Sequence, residues 1–385
     1  MIDGEPRETT MKSRETKFAS GFCASLLCTW LLCVCLTGNA QAQQSSPYPV
    51  VQGKYYKFEK IAGGVYYATP EWGGTAFPFG SNPFFGANLV VVVNENDVLI
   101  VDSATSPAAA RAFVADIKLL TDKPVRYVVN THWHYDHTDG NSIFGPEVQI
   151  IAHDYVRQAI EKFDILHNEP FRSSTRNAGP AMIDRFKKQI AAQKDPRQKA
   201  ALEKKLADTE AAMKAFVVDI KEIKPTPPNV TYSNKLVLHR GGREIDLLFL
   251  GRGHTGGDTV IFLPKERIVC TGDLMESRIA FMGSAFFDEW LTTLDALKRL
   301  DFAIDLPGHG APFKDKRLIT AFQSYLSDVL AQVAKLRAQG ISADEAAKRV
   351  DLTSHAKDFP DIEGVGAEVR GIRRVYAWMD ERGRK

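Results

Sequence analysis

The chain has 385 residues, 44% hydrophobic and 25% charged, with a formal net charge of +2. That is the balance of an ordinary globular protein with enough length for a large core. A near-neutral charge, with no basic run interleaved with aromatics, gives no footing for nucleic acid or an anionic membrane as partner.

The first 42 residues stand apart. Lys12, Arg14 and Lys17 precede an apolar run from Phe18 to Leu36, and Ala40-Gln41-Ala42 follows it. A basic head, an apolar middle and a small-residue end mark a secretory signal peptide. Met11, just before the basic residues, is an alternative start. The pattern predicts cleavage after Ala42 and an exported protein, periplasmic or extracellular. An uncleaved membrane anchor is the competing reading, because the run approaches the length of a span. Cys23, Cys28, Cys33 and Cys35 fall in this leader, so only Cys270 would remain and no internal disulfide is expected.

Residues 43–54 read as a flexible lead-in, and 55–69 as two short strands about Gly63-Gly64. Residues 71–85 form a long loop whose aromatics, Trp72, Phe77, Phe79, Phe84 and Phe85, suit either a pocket or the core. A hairpin follows at 89–93 and 98–102, then a helix from 106 to 120 with Ser106 as its cap and Pro107 in its first turn. A strand at 125–130 leads into a histidine-rich loop, and a further strand is expected at 148–152. From about 155 to 220 the pattern is helical; Leu202, Leu206, Ala212 and Phe216 recur among charges, as on an amphipathic helix. This reads as an inserted helical hairpin, covering the active site or packing outside. After the proline-rich 224–228, strands are expected at 236–239, 245–250, 259–263 and 268–271. A helix at 290–300, a strand at 302–306 and a long helix at 318–339 complete the pattern, with 313–385 as a C-terminal helical extension. Strand-rich segments followed by helices, twice over, point to two sheets with helices outside.

Residues 132–137 read His-Trp-His-Tyr-Asp-His. His132 and His134 alternate, so on an extended strand end both rings point to one side. Asp136 and His137 turn the other way, and one loop offers ligands to two neighbouring metal ions. Imidazole and carboxylate are the donors of open, catalytic zinc sites. Histidine-rich tracts can also be loose metal scavengers, but a strand-loop-helix setting is where open α/β sheets place ligands. Three later glycine-rich turns, each at a strand end, offer further donors: His254 in 251–258, Asp273 in 271–273 and His309 in 307–310. Glycine there lets the backbone approach closely and take positive φ. Thr255 and Asp258 either fix ligand orientation or cap their turn. His153 is expected to cap a helix, and His167, His239 and His355 to be surface or packing residues. For Trp133 and Tyr135, core packing and pocket lining both stand open.

With His132, His134, Asp136, His137, His254, Asp273 and His309 in place, the chain resembles the metallo-β-lactamase superfamily over residues 55 to about 312. The resemblance implies an α+β fold, the αββα sandwich of two mixed sheets flanked by helices, with the site at one edge. It implies that His132, His134 and His254 hold a first zinc, that Asp136, His137 and His309 hold a second, and that Asp273 bridges them. Iron and manganese are the other metals such donors take. Two zinc ions roughly 3.5–4 Å apart would activate a shared water to hydroxide, which attacks a carbonyl without a serine or cysteine nucleophile; Asp136 would also orient that water. An aspartate at position 273, where zinc β-lactamases tend to carry cysteine or serine, is closer to the glyoxalase II, lactonase and general hydrolase branches. The implied function is an exported dinuclear zinc hydrolase of an ester, lactone, thioester or amide, with β-lactam turnover as a side activity. The alternative is a mononuclear iron enzyme like the sulfur dioxygenases of the same fold. The expected partner is a small-molecule substrate, with no nucleic acid and no obligate membrane partner. Nothing in the sequence sets the oligomeric state.

Overall fold

A computed structural model describes residues 47–70, 86–173 and 179–383. The signal-peptide pattern at 1–42 and the aromatic loop at 71–85 lie outside the described residues. In chain order the elements are β1 (Val50–Gln52), β2 (Tyr56–Ala62), β3 (Val65–Pro70), β4 (Leu89–Val93), β5 (Val98–Val101), α1 (Pro107–Ile117), β6 (Val125–Val129), α2 (Tyr135–Thr138), β7 (Gln149–His153), α3 (Asp154–Lys162), α4 (Phe171–Ser173), α5 (Gly179–Ala192) and α6 (Pro196–Asp219). Then come β8 (Val230–Tyr232), β9 (Lys235–Arg240), β10 (Arg243–Phe249), β11 (Thr259–Leu263), β12 (Ile268–Gly272), α7 (Phe287–Arg299), β13 (Ile304–Pro307), α8 (Arg317–Ala338), α9 (Ala343–Arg349) and α10 (Val369–Gly383).

Strands β1 to β8 form one sheet in sequence order, and β13-β12-β11-β10-β9 form the second. Both are mixed: β5 to β8 pair in parallel and β12 pairs in parallel with β13, while the other neighbours are antiparallel. Strict alternation in the hairpin sorts its apolar side chains between two layers. Val90, Val92, Leu99 and Val101 face a core shared with Ile245, Leu247, Ile261, Leu263 and Ile268 of the second sheet. Leu89, Val91, Val98 and Ile100 face the other way, onto Phe113 of α1 and Phe216 of α6. The second sheet presents Val260 and Val269 to α7 and α8, where Trp290, Leu294, Phe322 and Leu326 pack. The result is the expected four-layer α/β/β/α sandwich of two mixed sheets.

Several elements differ from the sequence reading. The lead-in is partly structured: β1 pairs with β2, and buried Asp116 accepts hydrogen bonds from the amides of Lys54, Tyr55 and Tyr56 at 3.2, 2.7 and 2.9 Å. A three-residue edge strand carries no periodicity to read, and its anchor sits some sixty positions away. Strand β8 escaped notice for the same reason. Helix α3 is not an excursion; Val156, Ala159 and Ile160 pack on Ala152 of β7 and on Trp133. Helix α6 leans on the outer face of the first sheet through Phe216, while Phe171 of α4 meets Tyr135 beside the histidine loop, ring centroids 5.5 Å apart. The helical segment therefore packs outside the first sheet through Phe216 and reaches the histidine loop through Phe171. Helix α8 belongs to the outer layer itself through Ile319, Phe322, Leu326 and Val329.

Candidate metal centre

Strand β6 ends at Val129, and the chain then bends through the histidine loop. Asp102, at the end of β5, organises that bend. Its Oδ1 accepts the Thr131 amide at 2.7 Å, and its Oδ2 accepts the Thr131 hydroxyl at 2.9 Å. The same Oδ2 lies 2.7 Å from His137 Nδ1, so that nitrogen carries the proton and Nε2 points inward as donor. Asp102 takes φ 64, a left-handed conformation that aspartate tolerates better than most side chains. Extended backbone at His134 precedes α2, whose single turn places Asp136 and His137 on the far side of the loop. The Thr138 hydroxyl bonds the carbonyls of Trp133 and His134 and closes that turn.

Donor atoms gather in two buried groups. Those of His132, His134, His254 and Asp273 lie within 4.8 Å of one another, as do those of Asp136, His137 and His309. Asp273 spans both. Its Oδ2 is 3.8 Å from His132 Nε2, 3.6 Å from His254 Nε2 and 3.5 Å from His309 Nε2, and its Oδ1 is 3.4 Å from His137 Nε2. Asp136 Oδ2 stands 3.1 Å from His309 Nε2. All seven donors expected from the sequence are brought together. Glycine makes the approach feasible at two points. Gly272 takes φ 53, and a Cβ there would overlap the Thr131 side chain; at Gly308 it would overlap Asp273 Oδ1.

The residues fit metal ions. The Nε2 atoms of His132 and His137 and Oδ1 of Asp273 are buried without a hydrogen-bond partner, which natural interiors seldom tolerate unless something else satisfies them. His254 Nε2 and His134 Nδ1 face each other at 3.0 Å, two lone pairs converging on one point. With Nδ1 turned inward, His134 Nε2–H donates to Ser284 Oγ at 3.0 Å. Burial pushes His132 and His134 well below the ordinary histidine range, and His254 down to about 4 against the pull of Asp273. These rings are neutral at pH 7, as ligands must be. In the second group burial is overridden. His309 is raised to about 9, chiefly by the Asp273 carboxylate, and the His137 charge holds Asp136 at about 2. Protons there occupy positions that cations would take.

A profile of the metallo-beta-lactamase superfamily matches residues 82–309, more than half of the chain. The chain belongs to the metallo-beta-lactamase superfamily. Among curated proteins, a linear primary-alkylsulfatase from Pseudomonas sp. (strain ATCC 19151) is 23% identical over 295 residues, covering 72% of this chain and 53% of the other. The 2,4-dinitroanisole O-demethylase subunit alpha of Nocardioides sp. (strain JS1661) is 21% identical over 276 residues, 70% of this chain and 66% of the other. The chain thus spans between half and two thirds of the length of these relatives. A solved metallo-beta-lactamase from Pontibacter korlensis aligns with a TM-score of 0.47 and 17% identity, over 71% of this chain and 99% of the other.

Within this superfamily member, Thr255 and Asp258 bond each other: Asp258 accepts the Thr255 amide at 2.9 Å and its hydroxyl at 2.6 Å. They brace the turn that carries His254, whose Nδ1 has no hydrogen-bond partner. His153 caps α3, its Nδ1 accepting the Tyr155 amide at 3.1 Å. His167 and His355 pair with Asp164 and Asp328, away from the centre. Trp133 packs under α3, whereas Tyr135 lines the cleft. Sequence reasoning missed Asp102, Ser284 and the pair Glu276–Arg278. Glu276 is buried beside Asp273, one oxygen 2.8 Å from Arg278 Nε and the other unpaired. Burial and the Asp273 charge push it up to about 7. The available signal was two charges between the apolar pairs Leu274-Met275 and Ile279-Ala280.

Proposed function

We propose that the protein is an exported dinuclear zinc hydrolase that cleaves an ester bond, with lactones, thioesters and amides as neighbouring substrates and β-lactams as a side activity. The observation that carries this reading is the pair of buried donor groups joined by Asp273, at the end of a cleft of about 770 Å³. His132, His134 and His254 would hold one ion, Asp136, His137 and His309 the other, with Asp273 between. Two zinc ions at such donors supply an activated water at neutral pH and polarise the bond to be cleaved. Asp136 lines the cleft and is ionised, so its carboxylate can accept a hydrogen bond from an incoming water and orient it. Glu276 Oε1 is placed to hold a proton near neutral pH, within reach of a leaving group in the same cleft. Support for export comes from the basic, apolar and Ala-x-Ala pattern of residues 12–42.

Metal content by mass spectrometry, followed by a panel of carboxylic and sulfate esters, lactones, thioesters and nitrocefin, tests this reading. The likeness to an alkylsulfatase is the reason for the sulfate esters. Near two zinc per chain is expected, with ester turnover that chelator abolishes and zinc restores. One iron per chain with oxygen consumption on persulfides would replace it with the dioxygenase reading. Amino-terminal sequencing of secreted protein should begin at Gln43.

A further inference from the structure

The cleft falls in the volume range that encloses a drug-sized ligand. Its near end is Asp136, Asp273 and His309. Its far end is built by residues 361–367, beyond the segment that the family profile matches. Phe281 lines the same cleft. Its ring stands near-perpendicular to those of His134 and His254, at 5.7 and 6.4 Å between centroids. It rests on the backbone of Gly283, where a Cβ would overlap the ring carbons. The guanidinium of Arg370 lies 4.7 Å from its centroid. Arg370 is in turn tied to Glu368 at 2.6 Å and to the Ser173 hydroxyl at the end of α4. Three separate segments thus meet to hold one apolar ring beside the donor groups. A ring fixed in this way needs no ordering when a ligand packs on it.

Ile279, Ile362, Val365 and Ala367 line the same cleft, with Asp361, Glu363 and Lys348 interspersed among them. Val365 is 61% exposed, a large apolar side chain left uncovered among the described residues at the rim. We propose that Phe281 is a specificity-determining residue for esters with an extended apolar chain. The chain lies along Phe281 into the trough of Ile362, Val365 and Ala367, and the ester group sits at Asp136 and Asp273. This rests on the hydrolase reading above. A methylene chain gains free energy with each group it buries against these apolar side chains.

Two measurements test it on the full chain. The first is the hydrolysis of p-nitrophenyl esters from acetate to decanoate by zinc-loaded protein. kcat/KM should rise by roughly two- to fourfold per added methylene, the upper figure corresponding to full burial. The slope of log kcat/KM against chain length should fall by at least half in Phe281→Ala and in Val365→Asp; Val365 is exposed enough for the fold to survive that change. A flat or falling wild-type series, or variants that keep the wild-type slope, overturns the proposal. The second is calorimetric titration of metal-free protein with decanoate and butyrate. Decanoate should bind at least tenfold more tightly, and Phe281→Ala should weaken decanoate selectively. Equal binding of the two overturns the proposal even where esters are cleaved. No turnover of any ester, with the decanoate preference intact, supports the trough and removes the hydrolase reading instead.

Discussion

Asp102 touches neither donor group's converging point, yet it sets the tautomer of His137 and the bend at Thr131 that aims His132. Substitution Asp102→Asn keeps the size and removes the charge that stabilises Nδ1–H. Loss of such a partner costs roughly 10- to 100-fold in metal affinity. Competition of the zinc-loaded protein against a chelator should show that loss for the ion held by Asp136, His137 and His309; unchanged retention would sink the assignment. The seven donors were legible in the sequence because histidine and aspartate cluster visibly at strand ends. Asp102 was not, because it lies 35 positions from His137 and reads as the last residue of a strand. Ser284, 150 positions from His134, was hidden for the same reason. Thr255 and Asp258 were legible as a turn, and only geometry shows that they brace it rather than bond a ligand.

Among the elements, strands announced themselves best where they alternate. The run Leu89–Val93 is wholly apolar and still alternates in space, feeding one core with its odd positions and another with its even ones. Helix α6 was legible from its amphipathic spacing, and its docking was not. Phe216 is fully buried against the outer face of the first sheet, close to Phe113. Truncation by Phe216→Ala should cost about 3–5 kcal/mol, read as a lower urea midpoint with an unchanged slope. A change within a few tenths of a kcal/mol would show α6 to be loosely attached. The charge pair Arg111–Glu222, also at this junction, is half exposed on both sides and contributes little by comparison.

For the molecule as a whole, the metal centre joins two sheets, so its protonation is felt in global stability. His254 is held near 4 in the fold and titrates near 6.5 when unfolded. At this site the unfolded chain binds more protons between those values, so the His254 contribution falls as pH drops from 6.5 towards 4, opposed by Glu276 and Asp258, each raised to about 7. His309, raised to about 9, acts oppositely: its contribution is full below 6.5 and is lost as pH climbs through 9. Thermal unfolding of metal-free protein should therefore set in at a lower temperature at pH 9 than at pH 7. Zinc should remove the alkaline decline, because binding requires the deprotonated rings. A melting temperature of metal-free protein that keeps rising from pH 7 to 9 would contradict this.

By itself the sequence determined the two-sheet sandwich, the superfamily and the donor set, because alternation, turn glycines and metal ligands are local signals. The leader pattern and the His-x-His-x-Asp-His run need no partner to be recognised. Tertiary structure alone decided that Asp102 and Ser284 aim the rings and that Glu276 and Arg278 pair beside Asp273. It also decided that the cleft is walled by Phe281, Arg370 and residues 361–367, segments far apart in the chain. Those facts depend on contacts between distant positions, which carry no period or motif and exist only once the two sheets have closed on each other.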